Sequence, residues 1–132
     1  MSFMLDTNIC IYIIKKHPES VLKRFESLKV GELCISSITL AEMMYGVEKS
    51  QHHVKNRKAL EEFILPLDVT PFDDAAARCY GKIRTLLEKK GTPIGAFDLM
   101  IASHAQCLNK VLVTNNVKEF VRIPELVIEN WV

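Results

Sequence analysis

Phe3-Met4-Leu5-Asp6-Thr7-Asn8 places three apolar residues ahead of an acid and a polar turn. The apolar triplet fits a short buried strand. Asp-Thr-Asn fits the entry to a helix, with Thr7 or Asn8 near its cap. The same alternation recurs along the chain. Leu33-Cys34-Ile35 predicts a second buried strand, Leu67 to Phe72 a third, Val111 to Thr114 a fourth, and Leu126-Val127-Ile128 a last short one. Helical spacing covers residues 8–14, 18–28, 39–49, 54–65, 75–90 and 97–108, with Asp73-Asp74 a good N-cap and residues 91–95 a loop. Short apolar strands separated by helices imply a parallel sheet covered on both faces. The expected fold class is therefore α/β, a three-layer sandwich with a short, mostly parallel central sheet, in one domain spanning residues 1–132.

Composition bounds the function. A hydrophobic fraction of 48% and a charged fraction of 25% are those of an ordinary globular chain, which argues against disorder. Net charge is +1, so charge alone does not announce a nucleic-acid binder. The basic runs Lys55-Asn56-Arg57-Lys58, Lys82 with Arg84, and Lys89-Lys90 read as solvated helix faces. No apolar run approaches the roughly 18 residues of a membrane span. Met1 to Asp6 lacks the basic and apolar blocks of a secretion signal, so a cytoplasmic location and no membrane contact are expected. Cys10, Cys34, Cys79 and Cys107 are far apart in sequence and lack zinc or redox spacing, which suits structural thiols. His17, His52, His53 and His104 likewise lack ligand spacing and read as surface or core histidines.

In a parallel α/β sheet, sites form beyond the carboxyl ends of the strands, and this rule selects among the acids. Asp6 follows the first strand directly; it is a helix N-cap, a site ligand, or both. Glu42 lies in the first turns of a helix after the second strand, among Leu40, Ala41, Met43 and Met44. It belongs either to an exposed stripe with Lys49 or to an interior site. Asp98 sits in Ala96-Phe97-Asp98-Leu99-Met100-Ile101-Ala102, which is apolar all round and expected to be buried. A charge there is costly unless it is paired, caps a helix or binds a metal. Three gathered acids repel one another, and a divalent cation relieves the repulsion; hard oxygen ligands suit magnesium or manganese. Thr114-Asn115-Asn116 ends the fourth strand with groups that make a turn or hold a water or a phosphate oxygen, and Glu119 offers a more distant acid.

The ordered set of motifs matches a family. It comprises Met4-Leu5-Asp6-Thr7-Asn8, Ser36-x-Ile38-Thr39-x-Ala41-Glu42-x-x-x-Gly46 and Gly95-x-x-Asp98-x-x-Ile101-Ala102, then Val113-Thr114-Asn115-Asn116-x-x-Glu119-Phe120 and Glu129-x-Trp131. From end to end the chain resembles the PIN-domain nucleases, and among them the VapC toxins of bacterial toxin–antitoxin pairs. The resemblance implies catalytic roles for Asp6, Glu42, Asp98 and Asn116, with Mg2+ (or Mn2+) on Asp6 and Asp98. Many PIN domains carry a fourth acid where this chain has Asn116, so that role falls to Asn116 through water or to Glu119.

The same resemblance implies hydrolysis of structured RNA, with tRNA the leading substrate; in-line attack by a metal-activated water would leave 5′-phosphate and 3′-hydroxyl ends. Translation would thereby be inhibited. Further implications are a cognate VapB-like antitoxin whose arginine reaches the carboxylates, and a homodimer. Two rivals are weaker. A haloacid-dehalogenase-type phosphotransferase needs an Asp where Asn8 stands, and a non-catalytic PIN-like binding scaffold tends to lose acids that this chain keeps.

Overall fold

The computed structural model describes residues 2–132, so Met1, the first residue of the Met1–Asp6 segment discussed above, lies outside the described residues. The elements are β1 (Phe3–Leu5), α1 (Thr7–Lys15), α2 (Glu19–Glu26), β2 (Leu33–Ser36), α3 (Ser37–Lys49), α4 (His53–Ile64), β3 (Asp68–Thr70), α5 (Asp74–Lys89), α6 (Ala96–Cys107), β4 (Val111–Val113), α7 (Val117–Phe120) and β5 (Ile128–Glu129). All strand pairs are parallel, in the order β3-β2-β1-β4-β5, which leaves β1 at the centre.

Strand alternation divides the core in two. Phe3, Leu5, Leu33, Ile35, Val111 and Val113 face a layer built by α1 to α4. Met4, Cys34 and Leu112 face the opposite layer, where Ile83 and Leu87 of α5, Leu99 and Ile101 of α6, and Phe120 of α7 pack. Both faces of the central strands are buried, which is why their residues are apolar without alternation. The expected α/β three-layer architecture is present, with a sheet that is parallel throughout.

Several boundaries differ from expectation. The first helix is capped by Asp6, as one of the two readings of that acid had it, and not by Thr7 or Asn8; the Asp6 Oδ1 accepts from Ile9 N at 2.9 Å. The third helix begins at Ser37 because Ser36 Oγ accepts from Ile38 N and caps it. β3 is shorter than Leu67–Phe72: it is an edge strand with one neighbour, and pairing ends at Thr70. The last strand falls on Ile128–Glu129, and the short α7 had no signal in the apolar pattern. Cys79 and Cys107, far apart in sequence, are brought side by side by α5 and α6.

One buried polar chain ties the two helical layers together. Ser36 Oγ lies 2.9 Å from His104 Nδ1, and both residues are buried. Ser36 already accepts from Ile38 N, so its hydroxyl proton points to Nδ1, and Nε2–H is left to meet the Pro71 carbonyl. Phe72 closes the imidazole edge-on at 5.4 Å. Burial pushes the His104 pKa down, which holds the ring neutral. Replacing Ser36 with Ala strands both Nδ1 and the Ile38 amide. We expect urea denaturation of Ser36→Ala to show a loss of about 1–3 kcal/mol; an unchanged midpoint would mean that this chain of bonds contributes nothing to stability.

Candidate active site

The acids collect where three connections leave the sheet. Asp6 stands at the end of β1, the central strand, and is only 5% exposed. Its backbone N–H donates to Val113 O, which continues the ladder, while its side chain caps α1. Burial is the main force on this carboxyl and raises its pKa from 3.8 to about 6. The Thr114 hydroxyl and the Ile9 amide pull the value down, and the charges of Asp98 and Glu42 push it up. Asp98, in the first turn of α6, is also raised: first by burial, then by Glu119 and Glu42.

Glu42 faces this cluster from the second turn of α3, and its Oε1 accepts from Thr7 Oγ1 at 2.6 Å. Both alternatives hold in part: Glu42 is half-buried against the other acids, at the end of an exposed stripe that runs on to Lys49. Thr7 had no sequence signal beyond a cap; its place beside the first acid, at the mouth of the strand, was the available clue. Thr114 is fully buried and accepts from Asn116 N at 2.9 Å.

Asp98 is half-buried, and Phe97 beside it is exposed, so the first turn of α6 is not the all-round buried segment its composition predicts. Burial starts at Leu99, because the helix reaches past the sheet before it meets the core. Gly95, rather than Asp98, is its cap residue. Asn116 occupies the cap position of α7, and its side-chain amide makes no hydrogen bond among the described residues. Glu119, from the first turn of α7, adds its charge to that of Asp98.

Among the described residues, none of Asp6, Glu42, Asp98 and Glu119 pairs with Lys or Arg. No three Asp, Glu, His or Cys side chains there stand close enough to form a finished cage for a metal. The donors nevertheless fit a hard divalent ion. Magnesium is commonly held by one or two carboxylates together with water, and these carboxylates have no other cation to balance them. The set lacks the Cys and His ligands on which zinc sites are usually built.

The PIN-domain family model matches residues 3–126, nearly the whole described chain. This chain belongs to the PIN-domain family. Over 132 residues it is 51% identical to the ribonuclease VapC2 of Rickettsia felis, covering 99% of this chain and 98% of that one. It is 49% identical over 131 residues to the tRNA(fMet)-specific endonuclease VapC of Shigella flexneri, at the same coverage. Among solved structures it resembles the VapBC of Salmonella typhimurium bound to DNA, with TM-score 0.94, 49% identity, and coverage of 100% of this chain and 99% of that one. The PIN-domain fold and the VapC resemblance inferred from the motifs are thus both present.

The elevated Asp6 pKa makes a prediction for this PIN domain in EDTA. Well below pH 3.8, Asp6 is protonated folded or unfolded and exerts no net effect. As pH rises from 3.8 toward about 6, the unfolded chain ionises more readily than the folded one, so stability falls. Above about 6 the loss is complete, of order 3 kcal/mol. Asp6→Asn keeps the cap acceptor but does not titrate. It should be more stable than wild type at pH 7, and the gap should close toward pH 4. Paired denaturation curves giving the same gap at both pH values would show that Asp6 ionises normally.

Proposed function

We propose that the chain is a divalent-metal-dependent endoribonuclease, the toxin half of a toxin–antitoxin pair, acting in the cytoplasm on structured RNA with tRNA foremost. One observation carries the proposal: Asp6, Glu42 and Asp98 converge beyond the carboxyl ends of the strands with no basic side chain to neutralise them. The names borne by similar proteins support the substrate, since relatives of about half identity are VapC ribonucleases and a tRNA(fMet)-specific endonuclease.

Asp6 and Asp98 would hold magnesium or manganese. The ion would supply charge neutralisation and polarisation of the scissile phosphodiester. Glu42, fixed by the Thr7 hydroxyl, is positioned to orient a water for in-line attack and to accept its proton. The water oxygen bonds to phosphorus, the P–O3′ bond breaks, and the products are a 5′-phosphate and a 3′-hydroxyl. Asn116 and Glu119 flank this centre in supporting roles. Cleaved tRNA would in turn arrest translation.

Antitoxin control has a physical basis in the same region. A cavity of about 340 Å³ runs between α1, α3 and α4, with Ile11, Ile14, Met43 and Val47 on its walls and Thr7 and Glu42 at one end. An apolar antitoxin segment seated there would end at the acids, where an arginine finds unpaired carboxylates. The solved relatives from Salmonella and Haemophilus are themselves VapBC structures.

The test is incubation of antitoxin-free protein with total tRNA, with magnesium or EDTA, beside Asp98→Asn. Discrete cuts are expected with magnesium only. Asp98→Asn should lower the rate by more than about a hundredfold, beyond the effect of losing an outer-shell contact. Equal cleavage by wild type and variant would remove the catalytic assignment, and 2′,3′-cyclic phosphate ends would remove water as the nucleophile.

A further inference from the structure

Exposed apolar side chains scattered singly over a surface need no explanation. Two on this molecule are different, because each is tied to an acid of the site. Glu42, Tyr45 and Lys49 are spaced by three and then four residues on α3, so they follow one stripe of that helix. The stripe starts at the acids, where Glu42 accepts from Thr7. One turn on, the Tyr45 ring is 67% exposed, and Lys49 Nζ stands 5.0 Å from its centroid. On α6, the residue immediately before Asp98 is Phe97, 57% exposed.

Helix spacing turns Tyr45 toward the helix that carries Phe97. Ile38, seven residues before Tyr45 and therefore on the same flank of α3, packs into the layer of α5 and α6. That flank faces α6. His104 meets Ser36 at the end of β2, so Asp98 and Phe97, six and seven residues earlier on α6, stand about 9–10 Å further out at the helical rise per residue. Glu42 and then Tyr45 are carried past the strand ends by α3, which begins at Ser37. The acids thus lie at the base of a rim that includes two exposed aromatic faces and a cation beside one of them.

We infer that Tyr45 with Lys49, and Phe97, form a nucleobase-stacking rim. Unpaired bases beside the scissile phosphate stack on the two rings, and Lys49 meets an adjoining phosphate. Aromatic faces accept any base, and a lysine adds a salt-dependent phosphate contact, the combination that suits single-stranded RNA. The inference rests on the ribonuclease reading of the acids. It adds the reason a folded RNA would be cut in its unpaired loops: a base locked in a duplex cannot leave its stack to occupy the rings.

The test uses full-length protein carrying Asp98→Asn, so that RNA is bound without being cut. Affinity for a labelled unstructured RNA oligonucleotide is measured by fluorescence anisotropy, beside the same strand in a duplex. Tyr45→Ala and Phe97→Ala should each weaken single-strand binding about 5- to 100-fold. Phe97→Trp should retain affinity, and its new indole fluorescence should be quenched by RNA. Lys49→Gln should flatten the salt dependence. Leu65→Ala, a still more exposed apolar truncation at the end of α4, should change nothing.

Unchanged affinity in both ring variants would overturn the rim while magnesium-dependent cleavage by wild type left the function standing. Unchanged RNA affinity with a fall in molecular mass in solution would reassign the rings to contact between protein copies. Failure of wild type to cut any RNA would remove the function itself, and the rim with it.

Discussion

A carboxylate buried at the mouth of the central strand constrains everything around it. Asp6 continues the ladder through its backbone, caps α1 through one oxygen, and still presents charge to Asp98 and Glu42. Each task fixes a different neighbour. The ladder needs β4 alongside, the cap needs α1 to start at Thr7, and the shared field needs α3 and α6 to arrive from opposite layers. Moving Asp6 by one residue would turn its side chain to the other face of the sheet, away from α1. The position is costly for an acid, and the raised pKa expresses that cost.

The two layers that meet at this point are held apart by the sheet and joined at its rim. Below the rim they share only strands, each presenting alternate side chains to one or the other. At the rim, Ser36 and His104 link the start of α3 to the last turn of α6 by a single hydrogen bond. Glu42 lies six residues along one helix from that bond, and Asp98 six residues back along the other. The bond therefore sets the common level from which both acids are measured. A second clamp secures the far edge: Arg24 pairs with Glu129 at 3.0 Å and lies over the Phe3 and Trp131 rings, and Trp131 Nε1 donates to Glu129. Since Phe3 begins β1, this clamp joins the C-terminal residues to the strand that carries Asp6.

Much of the fold was legible because the strands are apolar on both faces and are followed by capping residues. Met4, Cys34 and Leu112 gave the same signal as their neighbours, and only a doubly covered sheet explains that. Boundaries set by side-chain bonds were harder. Nothing in the apolar period announced that Ser36 would cap α3, and the cap of α1 was left open between Asp6 and the two residues after it. The acids were legible as a set because strand ends select them, but their surroundings were not. Glu42 reads ambiguously until Thr7 is seen to hold it, across 35 residues of sequence. Phe97 reads as core because its neighbours are apolar, yet the first turn of α6 stands beyond the sheet that would have buried it.

Parallel topology supplies a further reason for acids to gather here. When strands are parallel and helices return between them, strand carboxyl ends and helix amino ends collect at one edge. Asp6 caps α1, while Asp98 and Glu119 lie in the first turns of α6 and α7. Helix amino ends carry partial positive charge and unsatisfied N–H groups, so each of these carboxylates sits where its own helix favours it. That local support does not cancel their mutual repulsion: Asp6 and Asp98 are both raised, with burial the larger cause and neighbouring acids the smaller. The fold thus stabilises each acid singly and leaves the group short of positive charge. A cluster in that condition favours a small cation, an arginine, or a phosphodiester delivered together with a metal, and each of these neutralises the same field.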